Sequence, residues 1–299
     1  MTASPERFTL SSTTLEAQLV PEWGGRVVLL RSRPDAVDLA EPLRGDTFSP
    51  VYWPKGGIYP LVPYSNRIRN AHLQFRERSF SLPPHPEASP HTLHGVAQTM
   101  PWQVVDHTAH SATLSLHYEG PHWPWRFSAE QYFVVEGNHL HQRLSLTNRS
   151  DTAMPAGLGS HPYLQFGPGD TAHFHAERSW TIDRFQIATG ESAVLTQATV
   201  MRKSAPDDVD IGGYFSEWNG ILSLERKEGT VRVSTPDFSH LVLFAPAGLR
   251  YLCVEPVSHV ADGFNLAALG VPHTGMEILE PGATLERSLS IEWIPRRAT

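Results

Sequence analysis

RFSAEQYFVVEGNHLHQRLSLTN, residues 126–148, carries the reading of the fold. Apolar and polar residues alternate on both sides of Glu136-Gly137-Asn138, and a period of two is that of strands with one face buried. Gly and Asn tolerate the positive φ that tight hairpin turns demand. The stretch therefore reads as two antiparallel strands joined at 136–138. WQVVDHTAHSATLSLHYEG (102–120) repeats the pattern around a polar turn. ILSLERKEGTVRVST (221–235) repeats it with Lys227-Glu228-Gly229 as the turn, and TLERSLSIEWI (284–294) alternates again near the end. No stretch holds three turns of clean helical period, and 25 Pro and 22 Gly suit many short strands with long loops. The Pro-rich SLPPHPEASPH (81–91) must be loop. Strand signals run from residue 8 to residue 294 with no linker of shifted composition. This predicts one domain over residues 1–299, all-β, a large antiparallel β-sandwich. No internal repeat is visible, which disfavours a propeller.

Composition narrows the function. Hydrophobic residues make up 40% of the chain, enough for a large core, and charged residues only 18%, with a net charge of -7. Affinity for nucleic acid comes mostly from Lys and Arg, and no basic run exists, so neither a nucleic-acid partner nor a membrane face is expected. Cys253 is the single cysteine, which excludes an intrachain disulfide and a cysteine-based zinc site. MTASPERFTLSS at the N-terminus is polar, without the apolar centre of a signal peptide, and no apolar run reaches the ~20 residues that span a bilayer. The expectation is a cytoplasmic protein, monomeric or homodimeric.

Four stretches concentrate polar groups beside Gly and Pro. GGIYPLVPYSNRIRN (56–70) brings Asn66 and Arg67 after an aromatic run, and the Arg fork suits hydroxyls or a carboxylate. HTLHGVAQ (91–98) carries His94 before Gly95, with His91 as a loop residue. GLGSHPYLQF (157–166) holds His161 between Gly159 and Pro162, in a loop into the next strand, followed by Tyr163. YLCVEPVSHVADGFN (251–265) ends an apolar strand on Glu255, just before Pro256. A carboxylate there is costly unless paired or functional, and burial raises its pKa toward the range of a general base. Each stretch alone has an ordinary reading: a surface Arg at a turn, two loop histidines, a structural Glu bonded to an Arg. HLH (139–141) and HFH (173–175) put paired histidines on one strand face, but with no acidic ligand at short spacing they read as solvated faces, so no metal and no cofactor are expected. Tyr59, Tyr64, Trp123, Trp125 and Tyr163 offer aromatic faces suited to the C–H faces of a pyranose.

Taken together, NRI at 66–68, LHG at 93–95, HPY at 161–163 and EP at 255–256 resemble the aldose 1-epimerase (galactose mutarotase) family in their order. ADGFN (261–265) is similar to its Asp-Ala-x-Asn segment and LEPGATL (279–285) to its closing Pro-Gly turn. The resemblance implies a galactose mutarotase-like supersandwich and an isomerase of carbohydrate metabolism that interconverts the α and β anomers of a free monosaccharide. It implies Glu255 as the base at the C1 hydroxyl and His161 as the acid at the ring oxygen, with Asn66, Arg67, His94 and Tyr163 holding the sugar. The family commonly has an Asp that binds ring hydroxyls, for which Asp237 in VSTPDFSHLVLF (233–244) is the nearest candidate. Hexose-6-phosphate epimerases resemble the chain through GGIYP and HGVAQTMPW, but favour an Arg where this chain has Gln98. The alternatives are therefore a hexose-6-phosphate 1-epimerase or a non-catalytic carbohydrate-binding sandwich. A glycosidase needs two carboxylates flanking one bond, and Glu255 has only Asp237 or Asp262 to offer.

Overall fold

The computed structural model describes residues 4–203 and 209–296. The deciding hairpin forms as read. Trp123–Glu136 and His139–Asn148 pair antiparallel from Glu136↔His139 to Phe127↔Asn148, and burial alternates along both. The turn shrinks to Gly137-Asn138, with Gly137 at φ 55°. The pairings Gln103–His107 with Ser111–Gly120, Ile211–Glu225 with Gly229–Ser234, and His139–Asn148 with Thr284–Pro295 complete the other runs.

These strands belong to a 17-stranded antiparallel sheet that starts at Phe8 and ends at Pro295, beside two small two-stranded sheets. The one α-helix among the described residues is the short Gly263–Ala268. In the Pro-rich 81–91 stretch, Pro86–Ala88 makes a single 3-10 turn. A continuous apolar core runs from Leu10 to Trp293 and takes in Tyr64, Trp123 and Trp125. No helix of the described residues is long and apolar enough to cross a membrane.

Three short strands position the site. Ile58–Leu61, Gly159–Gln165 and Tyr251–Val257 lie side by side, with His161 opposite Tyr59 and Tyr163 opposite Cys253. All three are buried on both faces over almost their whole length, so no alternation marks them in the sequence. His161, expected in a loop, therefore sits in a strand. Glu255 does not end its strand either, because Tyr251–Val257 continues through Pro256. The ladder to Gly159–Gln165 is interrupted between Cys253 and Val257, and Pro256, which has no N–H to give, sits in that gap.

Candidate active site

A cavity of about 350 Å³ lies over one face of these strands, lined by alternate residues such as His161 and Tyr163, and Cys253 and Glu255, a size suited to a small ligand. Its floor is the pair His161–Glu255. Both residues are 4% exposed, and His161 Nε2 lies 3.2 Å from Glu255 Oε1. Burial pushes the Glu255 carboxyl up to about 8, against the pull of Arg67, and pushes the His161 imidazole down to about 3. Both shifts favour neutral groups, so at neutral pH the pair holds one proton between two facing atoms. The other polar atom of each side chain, Glu255 Oε2 and His161 Nδ1, is buried without a hydrogen-bond partner. Unsatisfied polar atoms at the base of a cavity are costly in a fold and are found where a ligand will bind.

His94 and Asn66 form one wall. Both have left-handed backbones, φ 59° and 56°, and they clasp each other: His94 N donates to Asn66 O at 2.8 Å, and Asn66 N donates to His94 Nδ1 at 3.1 Å. The second bond fixes the tautomer. With Nδ1 accepting, the imidazole proton is on Nε2, and burial holds His94 neutral, well below the usual histidine range. His94 thus offers a neutral donor. Asn66 is spent on the framework, its Nδ2 donating to Tyr214 Oη at 2.9 Å while Tyr214 donates to the carbonyl of Gln186 at 3.1 Å.

Arg67 lines the cavity with no carboxylate partner among the described residues; it donates to Asn66 Oδ1 at 3.4 Å and Gln186 Oε1 at 3.5 Å. Its loop is pinned by Asp262, whose N–H donates to Arg67 O at 2.8 Å and whose Oδ1 accepts from Arg69 N at 2.9 Å. That gives the ADGFN segment a framework role rather than a catalytic one. Tyr163 stands beside His161 with ring centroids 4.6 Å apart.

A family profile described as Aldose 1-epimerase matches residues 6–292. The chain belongs to the aldose 1-epimerase family. The uncharacterised protein YphB of Escherichia coli (strain K12) is 30% identical over 250 residues, 79% of this chain and 84% of YphB. A galactose mutarotase-like protein from Clostridium acetobutylicum superposes with a TM-score of 0.81 at 19% identity, covering 96% of this chain and 95% of its own. The GalM/aldose epimerase homologue from C. elegans gives 0.78 at 17% identity, covering 98% and 99%. The fold is thus galactose mutarotase-like, as the sequence resemblance implied.

Within this aldose 1-epimerase fold, Asn66, Arg67, His94, His161, Tyr163 and Glu255 meet around the cavity, and Asp237 does not. Asp237 is exposed on a turn, where its Oδ2 accepts from Ser288 N at 3.1 Å and Ser288 Oγ at 2.6 Å. The expectation of a hydroxyl-binding role is corrected accordingly: the carboxylate closes a turn between neighbouring strands. Asp237→Ala should leave sugar turnover within about twofold of wild type in a steady-state assay, since surface changes act locally. Of the proposed aromatic platform, Tyr59 and Tyr163 line the cavity, whereas Tyr64, Trp123 and Trp125 are core. Trp53, Gln186, Tyr214 and Tyr251 also line it and are not singled out from sequence; Trp53, Gln186 and Tyr214 lie outside the four stretches, and Tyr251 opens the fourth as an apolar strand residue with no polar signal of its own.

His94, His161 and Glu255 each offer one ligand atom within 4.8 Å of the others, the donor set of a two-His, one-carboxylate metal centre. The His94 tautomer does not fit that use. Its Nδ1 is occupied by Asn66 N–H, and a metal on Nε2 would have to displace the proton that this bond places there.

Proposed function

We propose that this protein is an aldose 1-epimerase that interconverts the α and β anomers of a free aldose by acid–base ring opening and closure. The observation that carries the reading is the buried Glu255–His161 contact at 3.2 Å, facing a sugar-sized cavity with one proton between two groups. The anomeric carbon bears two oxygens, O1 and O5, and two adjacent proton carriers match them. In the productive form the shared proton is on His161 and Glu255 is ionised. Glu255 takes the O1 proton, the C1–O5 bond breaks, C1=O1 forms, and O5 takes the proton from His161. Rotation about C1–C2 and the reverse transfers close the ring on the other face. The pair begins and ends with one proton.

His94 Nε2–H and the Arg67 fork supply neutral and charged donors for hydroxyls, and Tyr163 supplies an aromatic ring beside them. A free rather than a phosphorylated sugar is favoured because, of the two cations lining the cavity, Lys55 is held by Glu87 at 3.0 Å. Position 98 bears on this less than the sequence suggested, for Gln98 is fully buried and is not among the cavity's lining residues. We place the enzyme in the cytoplasm as part of the same reading.

The test is α-to-β interconversion of glucose and galactose followed by polarimetry or NMR exchange at low buffer concentration. Acceleration over the buffer rate is expected for at least one sugar; none with either would remove the free-aldose reading. His94→Ala should lower kcat/KM by about 10-fold, the worth of one hydrogen bond to a bound polar group. Unchanged kinetics in that variant would take His94 out of the site.

A further inference from the structure

Arg26 is fully buried, yet it has no carboxylate partner among the described residues. Its Nε donates to Trp23 O at 3.2 Å and one Nη to Gln98 Oε1 at 3.3 Å, while the other Nη has no partner. Unpaired buried charges are expensive and are seldom kept for stability. The sequence makes room for this one. Gly24 and Gly25, both left-handed, turn the chain just before it, and a Cβ on Gly24 would lie 2.0 Å from Gln98 O. The guanidinium carbon sits 4.2 Å from the Tyr59 ring centroid, and the opposite partner of that ring is His161, stacked at 4.5 Å with 17° between planes. The Tyr59 ring is wedged among Trp53, His94 and Tyr163 by edge and tilted contacts, with Arg26 and His161 on its faces.

We propose that Arg26 is a positioning residue of the acid–base pair: through the Arg26–Tyr59–His161 stack it fixes the imidazole plane and places a permanent positive charge behind it. This rests on the acid–base reading above. Burial lowers the Arg26 guanidinium to about 10, which leaves it charged at neutral pH. The groups facing His161 are Glu255 and, beyond Tyr163, Cys253 from one neighbouring strand, Tyr59 from the other, Tyr163 on its own strand, His94 from the 91–95 loop, and the cations Arg26 and Lys55. Lys55 is ion-paired to Glu87; Arg67, which acts on Glu255, and Arg26 both lack a carboxylate partner among the described residues, and of the two Arg26 is the one reaching His161 through the Tyr59 stack. It makes the imidazolium a stronger acid toward O5 and eases loss of the shared proton at high pH. A unit charge about 9 Å away, at an effective dielectric of about 20, moves a titration by about one unit.

The test compares wild type with Arg26→Met, Arg26→Lys and Gln98→Glu. Met removes the charge but fills similar volume, and replacing a buried unpaired charge by an apolar side chain is neutral or stabilising, so its Tm should not fall. Gln98→Glu leaves Arg26 in place and neutralises it. Both should displace the alkaline limb of the mutarotation profile to higher pH by about 0.5–1 unit, with kcat reduced and KM little changed; Arg26→Lys should keep the wild-type limb. If Arg26→Met does not fold, Gln98→Glu decides alone. Profiles that superimpose on wild type overturn the proposal. The side-chain ¹³C carboxyl titration of Glu255 reads the same shift without turnover. Should wild type accelerate no sugar, a displaced titration in the variants supports the role of Arg26 while the catalytic reading fails, and an unmoved one overturns both.

Discussion

Glu255→Gln is expected to cost about 10³-fold or more in kcat while making the protein more stable. The activity loss follows from deleting the carboxylate proposed to take the O1 proton, and positioned acid–base groups are worth about 10²–10⁴ each. Gln keeps the shape and a neutral contact to His161, so binding should survive and the loss should fall on kcat. The stability gain follows from linkage. The Glu255 carboxyl titrates near 8 in the fold against an ordinary value of 4.5, so the folded state binds a proton that the unfolded chain releases. Wild-type stability is therefore highest below about pH 4.5 as far as this group is concerned, and is lost as pH rises toward 8. Gln has no proton to lose. Thermal unfolding from pH 5 to pH 9 should show the Tm advantage of Glu255→Gln growing with pH, by several degrees at the alkaline end. A variant that is inactive but destabilised at every pH would mean that Glu255 is a structural carboxylate.

The second large effect is an inversion of pH dependence in His161→Asn. In the proposed mechanism the wild-type active form has one proton on the pair. Burial pushes the uptake of a second proton far down, through His161, and pushes the loss of the last one up to about 8, through Glu255. The kcat/KM profile should be a broad bell, level from about pH 5 to 7 and falling through about pH 8. In His161→Asn no shared proton is needed, and Glu255 works alone as a base that must be ionised. Residual activity, lower by about 10²–10³, should then rise with pH through the raised Glu255 pKa where the wild type falls. Stopped-flow or polarimetric rates at matched ionic strength would read the sign directly. A residual activity that falls in parallel with wild type would show that the alkaline limb belongs to a group other than the pair.

Much of this molecule is legible as sequence. The hairpins at 126–148 and 221–235 declare themselves because each strand has one buried and one solvated face, and a period of two is then forced on the residues. The short motifs around Arg67, His94, His161 and Glu255 are legible for a different reason: unusual polar groups beside Gly and Pro, in the order that resembles the aldose 1-epimerase family. The strands that hold His161 and Glu255 were harder. Buried on both faces, they have no alternation, and Pro162 and Pro256 made their ends look like loops.

What the sequence determined by itself was the strand-rich class, the composition that disfavours nucleic-acid partners, and the set of polar residues worth watching. Tertiary structure decided which of them meet. It gave Asp237 to Ser288 and kept it from the cavity, buried Gln98 against Arg26, fixed the His94 proton on Nε2, and set Glu255 against His161 at 3.2 Å. The reason is that strand pattern is local, readable from neighbours two residues apart. A polar partner 94 residues away in the chain, such as Glu255 for His161, is chosen by sheet register, and proton affinities follow from the burial that this register creates.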